Sequence, residues 1–211
     1  RWRVWAERVA EAPVVVHATP ASGTFREAFA AARASVTRFG LEGTSHRVQL
    51  PADVRGVATL RATLAAPDGA TGPRSYARVA LDADLVRESP VGTLAMRTLA
   101  VSVFGTAVPL QDRALFGGPV SGPGYDTHSL RGTASVSQRV EWQRRIGSFP
   151  LPLGRFGTTR VPIVAAPFVQ GVIVAGAPAP VYRTIGLGIL SLHGTVRVDV
   201  ARGVDAGGAW M

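Results

Sequence analysis

The chain contains no cysteine, and all 23 of its basic residues are arginine, so it contains no lysine either. Without cysteine it can form neither a disulfide framework nor a thiolate metal site. No apolar run reaches the roughly twenty residues that a membrane-spanning helix needs. If this chain meets a membrane, it must therefore do so with β-strands. The exclusive use of arginine is typical of a GC-rich genome and carries no functional conclusion.

Signals for catalysis, metal binding and nucleic-acid binding are also weak. The four histidines lie far apart, without the spacing of metal ligands, at His17, His46, His128 and His193. No Gly-x-Ser-x-Gly elbow occurs, and no glycine-rich stretch has the Gly-Lys-Ser/Thr ending of a phosphate-binding loop. The net charge is +9, but the arginines form no basic patch interleaved with aromatic residues. We therefore expect no enzyme, no catalytic residue, no metal, no cofactor and no nucleic-acid partner.

The strongest pattern in the sequence is the alternation along Ala134–Ile146. One set of alternate positions is mostly apolar and includes Val136, Val140, Trp142 and Ile146. The other set is entirely polar and consists of Ser135, Ser137, Arg139, Glu141, Gln143 and Arg145. Alternate side chains of a strand point to opposite faces, so this strand has one apolar and one polar face. The segment is longer than a typical soluble strand, which has about five or six residues. It is also longer than the roughly nine to eleven residues that a transmembrane strand needs.

The same alternation recurs between turn-rich breaks along the chain. The predicted strands are Trp2–Val9, Val54–Ala66, Ser75–Arg87, Thr93–Phe104, Ala134–Ile146, Val161–Val174, Arg183–Leu192 and Thr195–Arg202. Thr24–Arg38 is rich in alanine, which favours a helix, but its place in the series favours a further strand. Leu151–Thr159 and Gly176–Pro180 are predicted turns. The series predicts an all-β fold, an antiparallel up-and-down transmembrane β-barrel, present here as a partial barrel of about eight or nine strands.

A long glycine-rich loop, at about 108–133, separates two of these strands, and its residues resemble those of a known family. Long loops between long strands are usually functional. Three motifs lie in the loop: Val108-Pro109-Leu110-Gln111, Leu115-Phe116-Gly117-Gly118 and Ser129-Leu130-Arg131-Gly132. Four more follow in the strands: Val140-Glu141-Trp142, Pro167–Gly171, Thr184–Gly188 and Gly194–Ala201. In this order they resemble the C-terminal half of the BamA-like outer-membrane assembly and secretion barrels, the bacterial surface-antigen superfamily.

The resemblance implies that the loop folds into the barrel lumen and docks against the inner wall. Its motif residues are Gly117, Gly118, Ser129, Leu130, Arg131 and Gly132, and the docking wall is Glu141 with Gln170. A guanidinium can form two parallel hydrogen bonds to a carboxylate, which makes Glu141 the expected partner of Arg131. The glycines let the main chain turn tightly and approach the wall. Gln170 stands where the family has an aspartate.

The resulting expectation is that residues 1–211 are the C-terminal part of a barrel in the bacterial outer membrane. We expect the closing strand and the earlier strands to be missing, because the chain stops at Trp210-Met211. The implied function is protein insertion or secretion, with outer-membrane lipid, lipopolysaccharide and unfolded outer-membrane or secreted polypeptides as partners. One alternative is a barrel that anchors, or exports, a fused upstream enzyme domain. Another is a soluble basic β-sandwich that binds a ligand.

Overall fold

The fold is described here from a computed structural model. The structure describes residues 1–11, 34–45, 48–50, 54–67, 75–105, 108, 113–127, 129–176, 181–205 and 207–211. Nearly all of these residues are in antiparallel β-strands. No helix in these ranges is long and apolar enough to cross a membrane.

The described residues contain twelve strands. They are β1 (Trp2–Glu11), β2 (Ala34–Thr44), β3 (Val48–Leu50), β4 (Val54–Pro67), β5 (Tyr76–Ser89), β6 (Gly92–Phe104), β7 (Ala114–Phe116), β8 (Leu130–Gly132), β9 (Ala134–Pro152), β10 (Thr158–Val174), β11 (Tyr182–Ser191) and β12 (Val196–Gly203). One turn of helix, α1 (Gly118–Ser121), follows β7. Most of these strands are well above the common length of about five or six residues.

Ten of the strands form a single sheet. Its order is β1-β2-β4-β5-β6-β9-β10-β11-β12, with β3 paired to β4, and every pairing is antiparallel. Neighbours in the sheet are therefore neighbours in the chain, apart from the small β7–β8 sheet, which lies outside the main one. The sheet is not closed, since β1 and β12 stand at its two edges. The predicted all-β, up-and-down partial barrel is confirmed.

The predicted alternation of faces is confirmed by the cross-strand register. One row across the sheet joins Val136 to Ala100 and Ile173, and continues to Leu81 and Leu60. The neighbouring row contains Thr44, Thr59, Asp82, Leu99, Ser137, Val172 and Tyr182. We call the first side the outer face and the second the inner face. Hydrophobic side chains stay exposed on the outer face, while the buried clusters lie on the inner face.

The two ends of the sheet differ in their connections. At one end, here called the turn end, β5–β6 and β11–β12 are joined by short turns and β9–β10 by residues 153–157. At the other end, called the loop end, β6 stops at Phe104 and β9 begins at Ala134. The glycine-rich segment between them folds back over the inner face. We call its described residues, 113–127 and 129–132, the inner loop.

Several sequence-based boundaries are wrong. Leu151–Thr159 was predicted to be a turn, but β9 runs to Pro152 and β10 starts at Thr158, because the main chains of these prolines and threonines still pair across the hairpin. Of Thr24–Arg38, the part from Ala34 is in β2, and the preceding residues lie outside the described ranges. The short strands β3, β7 and β8 were not predicted. The turn at Gly176–Pro180 is described only at Gly176.

Candidate functional site

The inner loop packs against the inner face through a compact apolar cluster. Phe116, Tyr125 and Leu130 of the loop are buried against wall residues Val172 and Tyr182. Val174 belongs to the same cluster, with Leu99 and Val101 packed at its side. Burial of a large apolar side chain contributes about 1.5–3 kcal/mol, so these three loop residues are strong anchors. The β7–β8 pairing of Leu115 with Arg131 holds the two ends of the loop together.

Hydrogen bonds from wall side chains hold the middle of the loop in place. The buried Thr184 hydroxyl donates to the carbonyl of Pro123 at 2.6 Å. The Gln170 amide donates to the carbonyl of Val120 at 3.2 Å and to the Ser137 hydroxyl at 2.7 Å. Gln170 is 4 % exposed, and its Oε1 has no hydrogen-bond partner. Gln170, predicted as part of the docking wall, thus contacts the loop main chain rather than an arginine.

Three glycines show how tightly the loop turns and how closely it approaches the rest of the chain. Gly117 and Gly118 have φ angles of 109° and 74°, which non-glycine residues rarely adopt. Gly124, at φ 85°, lies against β12, and a Cβ there would overlap the main-chain nitrogen of Gly203. The sequence predicted the tight turn at Gly117 and Gly118. It did not predict the contact of Gly124 with β12, because no local pattern reports a contact with a strand so far along the chain.

The predicted site residue Glu141 lies at the centre of an ionic network on the inner face. It is 4 % exposed. Arg197 Nη2 approaches its Oε2 at 2.6 Å, Arg139 Nη2 lies 3.0 Å from the same oxygen, and Gln143 donates to Oε1 at 2.7 Å. Asp199 completes the group, 3.1 Å from Arg139 and 2.8 Å from Arg197. The positive charges of two arginines are therefore balanced by the negative charges of two carboxylates, at a mostly buried place on the inner face.

Glycines on β11 make this network possible. Arg139 is on β9 and Asp199 is on β12, with β10 and β11 between them. A Cβ at Gly188 would lie 2.5 Å from the Asp199 carboxylate, and one at Gly186 would overlap the Phe168 ring. The Arg139 guanidinium in turn lies 3.5 Å above the centre of that ring. The missing side chains therefore open the space through which charges from separated strands meet.

The loop motif Ser129-Leu130-Arg131-Gly132 is divided between buried and exposed positions. Leu130 is buried in the apolar cluster, whereas Ser129 and Arg131 are exposed. A Cβ at Gly132 would lie 2.7 Å from the carbonyl oxygen of Ala175, so the main chain here passes close to the wall. The partners described above for Glu141 are Arg139, Arg197 and Gln143. The pairing of Arg131 with Glu141 stays a prediction.

A polar latch that the sequence reasoning missed joins the loop to the end of the chain. The Tyr125 hydroxyl donates to the carbonyl of Arg183 at 2.8 Å and lies 3.3 Å from the Asp205 carboxylate. That carboxylate also accepts from the Arg183 main-chain nitrogen at 2.5 Å and from its guanidinium at 2.6 Å. The hydrogen bonds from Arg183 lower the pKa of the Asp205 carboxyl below its ordinary value. The main-chain nitrogen of Ala209 donates to the carbonyl of Gly124 at 2.8 Å.

Between the inner loop and the charged wall lies a cavity of about 590 Å³. Loop residues Pro119 and Val120 face wall residues Arg97, Arg139 and Arg197 across it. Arg97 forms its own ion pair on the wall, 2.8 Å from Asp82. No group of three or more histidine, cysteine or acidic side chains in the described ranges is arranged to hold a metal ion.

Neither a scan against protein-family models nor a search of curated proteins finds a match to this chain.

Replacement of Gly124 by alanine is expected to release the inner loop from β12. The new Cβ meets main-chain atoms and the φ angle is unfavourable, which together cost about 3 kcal/mol. Gly154→Ala is the matched control, because Gly154 also has a positive φ, 59°, but has open space around it. Limited proteolysis of the loop and thermal unfolding check the difference. Equal behaviour of the two variants would contradict the contact with β12.

Acidification is expected to weaken the latch at Asp205. A carboxyl whose pKa is lowered by folding stabilises the folded state above its unfolded pKa of about 4 and loses this effect as the pH falls through its folded pKa. The wild type should therefore have a higher melting temperature than Asp205→Asn at neutral pH, and this gap should narrow below about pH 4. A gap that is independent of pH would show that the charge of Asp205 is irrelevant.

Loss of Glu141 is expected to be far more costly than loss of an exposed glutamate. Glu141→Ala leaves Arg139 and Arg197 without their main partner, which costs about 3–5 kcal/mol in a buried pair. Glu88→Ala removes the exposed ion pair with Arg55, where both side chains are about half exposed, and should cost about 1 kcal/mol or less. Urea unfolding of the two variants measures this difference.

The predicted pairing of Arg131 with Glu141 has its own check. If it forms, Arg131→Ala lowers the abundance or activity of the full protein, Glu141→Ala has the same effect, and the double variant is no worse than the single ones. Additive losses would show that the two residues act separately. Wild-type behaviour of both single variants would exclude a role for the pair.

Proposed function

We propose that this chain is the outer-membrane β-barrel domain of a protein insertion or secretion factor, with the inner loop docked in the lumen. The observation that carries the proposal is the outer face, where large hydrophobic side chains follow one another along neighbouring strands and many of them are exposed. Val169, Ile185 and Val200 are each more than half exposed. Soluble monomers rarely expose apolar patches larger than a few hundred Å², so this surface is suited to a lipid environment.

The spacing of exposed aromatic residues also supports a membrane. Trp142 lies beside Leu94 near the turn end, while Phe104 ends β6 at the loop end. The ten residue steps from Leu94 to Phe104 rise about 33 Å along the strand. A strand tilt of about 40° reduces this to roughly 25 Å, which is the usual height of the apolar band between the aromatic girdles of outer-membrane barrels.

Trp2, Trp142 and Trp210 are exposed near the two ends of the sheet, while Trp5 is half-buried beside Gly40. Trp2 is 74 % exposed near the start of β1, and Trp210, 67 % exposed, pairs with Arg202 close to the loop end. Tryptophans near the ends of the strands suit an interfacial girdle, whereas a sandwich would bury them centrally. A sandwich also requires a second sheet packed on the outer face, whereas the described strands outside the main sheet are only β7 and β8.

The inner loop favours the insertion or secretion function over an open export pore. It fills the inner face with a packed apolar cluster and hydrogen-bonded main chain, as the resemblance to the bacterial surface-antigen barrels implies for the loop with the Arg-Gly motif. We propose unfolded outer-membrane or secreted polypeptides as substrates and outer-membrane lipid and lipopolysaccharide as surroundings. No cofactor is part of the proposal.

A pair of arginine substitutions on β4 tests the membrane location. Leu60 on the outer face and Val57 on the inner face are similarly exposed, 44 % and 37 %. In a barrel spanning a bilayer, Leu60→Arg costs about 2–4 kcal/mol, while Val57→Arg is nearly neutral. In a soluble protein both exposed positions tolerate arginine within about 0.5 kcal/mol. Unfolding of the full protein reconstituted in lipid vesicles measures the difference.

The function itself is tested by depleting the full protein in its host. A fall in the folded amounts of other outer-membrane or secreted proteins is the expected result. An unchanged set of such proteins, with this protein still in the outer membrane, would favour the anchor or export alternative. Recovery of the wild type only in the soluble fraction would overturn the barrel proposal as a whole.

A further inference from the structure

The hairpin formed by β9 and β10 extends well beyond the rest of the sheet at the turn end. Pairing of β9 with β6 stops at Gln143, opposite Thr93, and pairing of β10 with β11 stops at Val164, opposite Leu190. From there the two strands pair only with each other, as far as Pro152 opposite Thr158. We call residues 144–163 the finger. The paired part from Gly147 to Pro152 alone spans about 17 Å.

A register shift marks the base of the finger. The pairing of β9 with β10 is irregular between Ile163 and Val164. Ile163 pairs with Gly147 and Val164 pairs with Arg145, so Ile146 is the extra residue on β9. Such bulges bend a strand and change its direction. Ile146 itself is 61 % exposed. The finger is therefore set off from the curved sheet as a separate two-stranded element.

The finger carries positive charge without internal compensation. It contains Arg144, Arg145, Arg155 and Arg160, and the sequence has no acidic residue between Glu141 and Asp199. All four arginines are exposed. None of them forms an ion pair with another residue in the described ranges, in contrast to Arg97, Arg139 and Arg197 of the inner face, each of which has a carboxylate partner.

Exposed hydrophobic side chains stand beside these arginines. Phe156, at the tip, is 74 % exposed with the Arg155 guanidinium 4.9 Å from its ring centre, and Leu153 is 45 % exposed. At the base, the Arg144 guanidinium lies 5.8 Å from the ring centre of Trp142, which belongs to the outer apolar face. The apolar surface thus continues from the outer face towards the finger, and arginines accompany it at both ends.

We infer that the finger docks on a surface of anionic phospholipid headgroups at the turn end of the barrel. Arginines bind phosphate groups with paired donors, and aromatic side chains favour the boundary between lipid and water. An acidic protein would satisfy the charges but would not account for the continuity with the lipid-facing side. In bacterial barrels the short turns lie on the periplasmic side. This inference rests on the proposed membrane location.

The test uses single cysteines in the full protein, with any cysteine outside this chain replaced, labelled with a polarity-sensitive dye. Thr158→Cys places the dye on the finger, and Leu60→Cys places it in the middle of the outer face. The proteins are reconstituted in nanodiscs of phosphatidylcholine alone or mixed with phosphatidylglycerol. Acrylamide, an uncharged quencher, reports how far water reaches each dye.

The dye at position 158 should be quenched several-fold less in the anionic nanodiscs than in the zwitterionic ones. An arginine near an anionic surface strengthens binding about fivefold, so Arg155→Gln with Arg160→Gln should restore most of the quenching, and high salt should do the same. Arg87→Gln with Arg202→Gln is the matched control, since it removes two exposed arginines outside the finger and should leave the protection intact.

The dye at position 60 separates this inference from the proposed function. Protection at position 60 in both lipids, with position 158 equally quenched in both, would keep the barrel and overturn the docking of the finger. Free quenching at position 60 would instead contradict the membrane location. Protection of position 158 by added polyglutamate, but not by phosphatidylglycerol, would assign the finger to an acidic protein and overturn the lipid surface.

Discussion

One constraint governs the rest of this structure: a single sheet of long strands has two faces, and no described part of the chain covers the outer one. Because side chains alternate along every strand, the apolar positions gather on that face and the polar positions on the other. The outer-face row that includes Leu60, Leu81 and Val136, of which Leu60 and Val136 are exposed, is a direct consequence. Only an apolar environment or another apolar surface removes such a face from water, and this is the physical basis for the proposed membrane location.

The inner face solves the opposite problem, since its polar side chains are partly covered by the inner loop. Buried charges are tolerated when they are paired and hydrogen-bonded, and Glu141 meets this condition with Arg139 and Arg197. The loop contributes apolar anchors such as Phe116 and Leu130, so the wall carries the charge while the loop supplies the hydrophobic packing. Gly186 and Gly188 belong to the wall, where their missing side chains leave room for charges from distant strands to meet.

Arginine has one role on the inner face and a different role on the finger. On the inner face it is matched by carboxylates within the chain, which holds separated strands together. On the finger it has no such partner among the described residues, and its neighbours are exposed aromatic and aliphatic side chains. An excess of basic over acidic residues in the whole sequence therefore does not indicate a uniformly basic surface. The exposed Arg155 and Arg160 of the finger are the part of this excess that we infer binds anionic lipid.

The sequence alone determined the strands and their faces, since a period of two residues is local information that survives without tertiary structure. It also indicated that the glycines around Gly117 serve a tight loop. Tertiary structure decided the partners of Glu141, the contact of Gly124 with Gly203 and the latch between Tyr125 and Asp205. These residues lie on strands or segments far apart in the chain, and only sheet order and curvature bring them together. The loop or turn predicted at Leu151–Thr159 is confined to residues 153–157 for the same reason, because pairing across the hairpin outweighed the local turn residues at its two ends.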